Sequence, residues 1–159
     1  MKMQSEDVGI TARATSIVDE MKKLEGPLLP ILHEIQNEFG YVPREALPVI
    51  ASGLNLSRAD VYGVVSFYHD YRDQPAGRHV LKVCRAESCQ AMGGDEMADR
   101  LRDALGVDWH ETSKDGAVTL EPVYCLGLCA CSPSAMLDGE VIGRLDEDRI
   151  GEIVAEVRQ

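Results

Sequence analysis

Through the first half of the chain, apolar residues recur every three or four positions, the spacing that lines one face of a helix. Val18, Met21 and Leu24 mark a first helix. Leu28, Leu32, Ile35 and Phe39 mark a second after Gly26-Pro27, and Leu47, Ile50, Ala51 and Leu54 a third. Ser57, followed three residues later by Asp60, has the form of a capping box and opens a fourth helix with Val61, Val64, Val65 and Tyr68 facing inward. Gln74-Pro75-Ala76-Gly77 then interrupts the helical period, and β-branched residues begin.

Beyond that break the pattern mixes both periods. His79 to Val83 predicts a strand, and residues 94–105 a helix with Met97, Leu101 and Leu105 inward. Val107 to Glu111 and Val118 to Tyr124 predict two further strands, with Asp115-Gly116 as turn chemistry between them. A last strand pair flanks Asp138-Gly139, and Ile150, Ile153, Val154 and Val157 stripe a closing helix. The fold class is α+β: an N-terminal helical bundle over residues 1–77, then a mixed sheet with helices packed on it over residues 78–159, as in a thioredoxin-like fold. A chain of 159 residues buries roughly 70% of its unfolded surface and needs no disulfide staples.

Charge narrows the function classes. The formal net charge is −11, and acid exceeds base in both halves: seven basic against eleven acidic residues over 1–77, nine against sixteen over 78–159. A nucleic-acid ligand calls for clustered Lys and Arg, so polyanion binding is disfavoured even though short helices with tight turns resemble a helix-turn-helix. No stretch reaches the ~18 uninterrupted apolar residues of a membrane span, and residues 1–9 carry charge and an amide where a signal peptide places its apolar core. The expectation is a soluble cytoplasmic protein without membrane insertion.

Cysteine is the most informative residue type. All five lie in the second half, at Cys84, Cys89, Cys125, Cys129 and Cys131. An odd count in a reducing compartment argues for metal or redox chemistry over a disulfide framework. Cys84 and Cys89 enclose four residues, Cys125 and Cys129 enclose three, and 35 residues separate the pairs. Each pair begins where a predicted strand stops, so two thiolate pairs converge from two loops. Gly127 within CLGLCACSP allows unusual backbone angles and close approach of amides to sulfur. Zinc also takes four thiolates, but its structural sites favour tighter spacing, while a [2Fe–2S] cluster takes two thiolates on each iron. A free dithiol oxidoreductase is a third option, though no C-x-x-C opens a helix. His33, His69, His79 and His110 are scattered and none is expected to be a ligand. Gly93-Gly94-Asp95-Glu96 imitates the start of a cyclic-dinucleotide cyclase signature but reads as a loop with a helix start. Phe67-Tyr68-His69-Asp70-Tyr71 reads either as an aromatic docking face or as core packing.

Three stretches, ILHEIQNEFGYVPREALPVIA, LSRADVYGVVSFYHDY and the cysteine segments VCRAESC and CLGLCACSP, resemble the 24 kDa-type thioredoxin-like [2Fe–2S] ferredoxins. The resemblance implies one [2Fe–2S] cluster held by Cys84, Cys89, Cys125 and Cys129, with no ligand role for Cys131. It also implies an electron-transfer subunit with no active site of its own, working beside a flavin- and NAD-binding partner subunit. Within the family, VCRAESCQ and the Cys-Ala-Cys variant are most similar to the gamma subunit of soluble NAD-dependent formate dehydrogenase, whose formate-oxidising partner contains molybdenum. The equivalent subunit of respiratory NADH dehydrogenase (complex I) and the diaphorase of NAD-linked hydrogenases are the alternatives. A zinc-stabilised adaptor is the alternative of another class.

The charge of such a cluster predicts its redox character. Two ferric ions, two sulfides and four thiolates sum to about −2, and reduction takes this to about −3, so an acidic chain resists the electron and the potential is low, as in plant-type clusters. Amides of Gly127 and Leu128 on sulfur would offset part of this. The first half has no cysteine, no clustered histidines and no Gly-rich phosphate loop, so it is expected to be a docking region.

Overall fold

The computed structural model describes residues 3–159, with side chains from residue 9 onward, and divides between Pro75 and Ala76 into two units. In the first, α1 (Met3–Met21), α2 (Leu28–Phe39), α3 (Ala46–Leu54) and α4 (Arg58–Phe67) follow the apolar spacing closely. Ile17, Val18, Ile31, Leu32, Ile35, Ile50 and Val61 are fully withdrawn from solvent. Fully burying each such side chain is worth about 1.5–3 kcal/mol, which holds together helices that would be marginal alone. The Ser57–Asp60 capping box forms, with the Ser57 hydroxyl accepting the Asp60 amide at 3.0 Å and Asp60 accepting the Ser57 amide at 3.2 Å.

Leu24, expected in the first helix, and Tyr68, expected on the inward face of the fourth, differ from the expectation. Leu24 lies past the end of α1, where the chain turns toward Gly26 at φ 63°, and it is half exposed. Tyr68 is the residue at which α4 ends in extended backbone, so its ring leaves the helical face. Tyr71 is buried instead, its hydroxyl donating to the Leu29 carbonyl at 3.3 Å. Gln36 pins this segment by donating to the Asp70 carbonyl at 2.7 Å and accepting the Arg72 amide at 2.8 Å. The aromatic run is divided: Tyr71 packs in the core, while Phe67 and Tyr68 face solvent.

The second unit runs β1 (His79–Cys84), α5 (Glu87–Ala91), α6 (Gly94–Leu105), β2 (Val118–Val123), a 3₁₀ turn (Cys129–Cys131), β3 (Ser134–Leu137), β4 (Glu140–Gly143) and α7 (Glu147–Val157). The sheet order is β2-β1-β3-β4, with β1 parallel to β2 and antiparallel to β3. It is a mixed sheet, and the whole is α+β as expected. Leu81 and Val83 of β1, Leu120 of β2 and Leu137 of β3 share one core with Leu101 of α6 and Ile153 and Val157 of α7. The β3–β4 hairpin turns on Asp138 at φ 51° and Gly139 at φ 92°, and Asp138 accepts from His79 Nδ1 at 2.6 Å and from the Val80 amide at 2.8 Å. None of the described helices is long and apolar enough to cross a membrane.

The strand expected at Val107 to Glu111 is absent; contact with β2 is limited to the isolated bridge of Thr112 with Thr119 and the backbone bonds around it, among them the His110 amide donating to the Leu120 carbonyl at 2.8 Å. Local polar groups compete with the ladder there. Asp108 accepts the Trp109 amide at 2.7 Å, Glu111 accepts the Asp108 amide at 3.1 Å, and His110 takes φ 65°. The Trp109 ring is held by the guanidinium groups of Arg85 and Arg102, 5.2 and 5.8 Å from its centroid.

Candidate metal centre

Cys84 is the last residue of β1 and is buried, although the strand's alternation turns Leu81 and Val83 inward and puts Cys84 on the other face. Cys89 follows on α5, a five-residue helix, and is buried as well. Cys84 sits at the end of the strand, as expected, whereas Cys89, expected on the loop that follows, is inside a short helix that five residues of sequence could not announce. Gly94 keeps this corner tight: a Cβ there would fall 2.5 Å from the Cys89 carbonyl oxygen.

The second pair lies beyond β2. Cys125 adopts φ 91°, a backbone conformation unusual for a residue with a side chain, and is exposed. Cys129 opens the 3₁₀ turn and is exposed too. Gly127, at φ 80°, folds the loop so that its own amide donates to Cys125 Sγ at 3.4 Å. Cys125 and Cys129 then stand with their sulfurs 3.7 Å apart.

Cys84 joins the two segments. Burial alone would push its thiol up, but hydrogen bonds from the amides of Ala86, Cys125 and Leu126 and from Cys89 pull it below the ordinary cysteine range. Sulfur-directed amides thus come from Gly127, as expected, and from Ala86, Cys125 and Leu126, in place of Leu128. The Cys129 thiol is raised, chiefly by its hydrogen bond and charge repulsion with Cys125, then by burial, then by repulsion from Cys89 and Cys84. All four expected residues are therefore in mutual electrostatic range.

Three hydroxyls that the spacing of the cysteines does not point to complete the surroundings. Ser132 donates to the Cys129 carbonyl at 2.9 Å, and Ser88 bonds Ser132 at 2.9 Å. Ser132 and Ser134 each lie 3.6 Å from Cys89 Sγ. The only sequence signal is the alternation in Cys129-Ala130-Cys131-Ser132-Pro133-Ser134, which does not say where a hydroxyl points. Cys131 is half-buried, and its carbonyl accepts the Arg144 amide at 2.6 Å.

The donor set fits a two-metal cluster. Two thiolates on one tetrahedral metal, with bonds of about 2.3 Å, stand about 3.8 Å apart; the Cys125–Cys129 separation of 3.7 Å matches. Among the described residues, no three of His, Cys, Asp and Glu gather about a single point, and the sulfurs are arranged as two pairs. That pairing is what a [2Fe–2S] cluster asks of its protein.

Comparison with known proteins agrees with this chemistry. The family model for thioredoxin-like [2Fe–2S] ferredoxins matches residues 14–158. A subunit of the NADH-quinone oxidoreductase of Mycobacterium bovis is 36% identical over 145 residues, covering 91% of this chain and 58% of that protein. The chain thus spans a little over half the length of that relative. The HndA subunit of the NADP-reducing hydrogenase of Solidesulfovibrio fructosivorans is 31% identical over 139 residues, covering 87% of this chain and 81% of that one. In the solved structures, a chain of an air-oxidized NAD⁺-reducing [NiFe]-hydrogenase superposes with a TM-score of 0.71 at 21% identity, over 82% of this chain and 22% of that one, and so shares the fold. With a family model spanning both units and a paired-thiol site of the right chemistry, the chain belongs to the thioredoxin-like [2Fe–2S] ferredoxin family.

Proposed function

We propose that Cys84, Cys89, Cys125 and Cys129 ligate the chain's single [2Fe–2S] cluster, and that the chain relays electrons to or from a flavin- and NAD-binding partner subunit. The observation that carries this reading is the meeting of the two cysteine pairs, with Cys125 and Cys129 at 3.7 Å and Cys84 receiving amides from both segments. When bound, the cluster supplies storage for one electron at a time. The chain's own residues do the rest. Amides of Ala86, Cys125, Leu126 and Gly127 place partial positive charge against sulfur, where negative charge grows on reduction. Buried Cys84 and Cys89 form a dry inner side, and exposed Cys125 and Cys129 form an open edge at which a partner can approach.

The relatives' names bear on the parent complex. NADH-quinone oxidoreductase and NAD(P)-reducing hydrogenase support a complex of one of those kinds better than the formate dehydrogenase anticipated from VCRAESCQ and the Cys-Ala-Cys variant. The free state of all five cysteines suits the reducing cytoplasm, which we take as the location. The first unit, up to Pro75, is proposed as the docking region.

Anaerobic purification tests the core of this reading. About two irons per chain with visible absorption, and a paramagnetic signal on reduction, are expected. A colourless protein with about one zinc would replace it with the zinc-stabilised adaptor. Co-purification from the native source decides the complex: a flavoprotein with membrane or hydrogenase subunits supports the reading above, and a molybdenum subunit returns the formate dehydrogenase.

A further inference from the structure

Ser134 is 1% exposed, and its hydroxyl lies 3.6 Å from Cys89 Sγ. A buried hydroxyl that leaves its proton unbonded carries a desolvation cost of about 1–3 kcal/mol, so that proton must find an acceptor. The Ser132 hydroxyl is differently placed: it also lies 3.6 Å from Cys89, but it already donates to the Cys129 carbonyl at 2.9 Å, and toward Cys89 it acts as acceptor of the thiol proton.

Metal binding changes these roles in a definite way. A ligated cysteine is a thiolate, with no proton to give, so the acceptor role of Ser132 toward Cys89 ends and its bond to the Cys129 carbonyl remains. Ser134 is left as the hydroxyl that can donate to Cys89, and a hydrogen bond to an anionic acceptor is the stronger kind. Its strand position holds it there, since Ser134 is the first residue of β3 and is paired with Gly143 of β4.

We propose that Ser134 is a potential-setting residue, whose hydroxyl donates to the Cys89 thiolate and favours the reduced, more negative cluster. The inference rests on Cys89 being a ligand, as proposed above. Donation to a sulfur ligand raises a cluster's potential because it stabilises the extra negative charge.

The test is a redox titration of the full chain, followed by visible absorption and the paramagnetic signal, for wild type, Ser134→Ala and Ser132→Ala. Ser134→Ala is expected to retain its iron and to shift the reduction equilibrium about threefold to tenfold toward the oxidised cluster, a fall of about 30–60 mV at about 59 mV per tenfold for one electron. Ser132→Ala should move it by less than half as much. An unchanged potential in iron-replete Ser134→Ala overturns the proposal, as does an equal shift in Ser132→Ala. Loss of the cluster from Ser134→Ala also overturns it, by assigning Ser134 to assembly. Cys89→Ser separates the premises: an unaltered cluster signal there sinks the ligand assignment itself, whatever Ser134 does.

Discussion

Gly94 and Cys89 touch through their backbones: a Cβ on Gly94 would lie 2.5 Å from the Cys89 carbonyl oxygen and 2.8 Å from its carbonyl carbon. The obstruction is main chain, which cannot rotate away as a side chain can. Gly94→Ala is therefore expected to cost about 1–3 kcal/mol by overpacking and to loosen the corner that presents Cys89. Thermal unfolding should fall by several degrees, and iron retained after anaerobic desalting should drop below wild type. Gly151→Ala is the control, because Gly151 lies in α7 with nothing within 4 Å of the added carbon. It should be neutral or stabilising by about 0.5–1 kcal/mol.

Cys131 separates ligand from neighbour. Its amide donates to the Leu128 carbonyl at 2.8 Å, and its own Cβ lies where a side chain on Gly143 would come within 2.8 Å, so it packs on β4. Cys131→Ser should leave iron content and the reduced cluster's signal intact. Serine at Cys84, Cys89, Cys125 or Cys129 should lose the cluster or alter its signal. Iron analysis with low-temperature paramagnetic resonance on the five variants checks this, and cluster loss in Cys131→Ser alone would reassign the ligands.

Arg13 of α1 grips Glu38 of α2 with two bonds, Nε to Oε1 at 3.0 Å and Nη2 to Oε2 at 3.1 Å. The hydrogen bond from Arg13 holds the Glu38 carboxyl below the ordinary range. A folded-state value below the unfolded one contributes stability that is present above about pH 4.3 and is lost as pH falls through the depressed folded value. Arg13→Gln should therefore remove a small part of the stability measured near neutral pH and flatten the acid limb of the stability profile. Denaturant midpoints from pH 7 down to pH 3 check the sign. A variant gap that widens toward acid contradicts it.

The docking role of the first unit has a direct test. The second unit contains its own core and all five cysteines. A chain beginning near Ala76 should still assemble a cluster and fail to co-purify with the partner flavoprotein. Stable complexes bury on the order of 1,200 Å² or more, an area to which the exposed Phe67, Tyr68 and Tyr62 can contribute. Partner affinity unchanged by the truncation would remove the docking role.

Much of this molecule is written in one dimension. The recurrence of Leu28, Leu32 and Ile35, the Ser57–Asp60 box, the stripe of Ile150, Ile153 and Val157, and the turn at Asp138-Gly139 each depend on residues a few positions apart, so their elements follow from local periods and local hydrogen bonds. The cysteine spacing belongs to the same class, because a ligand pair on one metal must be near in space and is easily supplied by residues near in sequence. Tertiary structure decided what depends on distant partners. Ser134 meets Cys89 across 45 positions, and amides after β2 reach the sulfur at the end of β1. Tyr71 is buried and Phe67 exposed within one aromatic run, because the chain leaves α4 at Tyr68 and is drawn back to Gln36. Residues 107–111 carry a strand-like composition, yet the Asp108 and Glu111 side chains take the amides of Trp109 and Asp108, Trp109 is held between Arg85 and Arg102, and backbone bonding to β2 begins only at His110. A pattern of apolar positions reports which face is inward, whereas the direction of a hydroxyl or an amide is fixed only once the elements that carry both partners have packed.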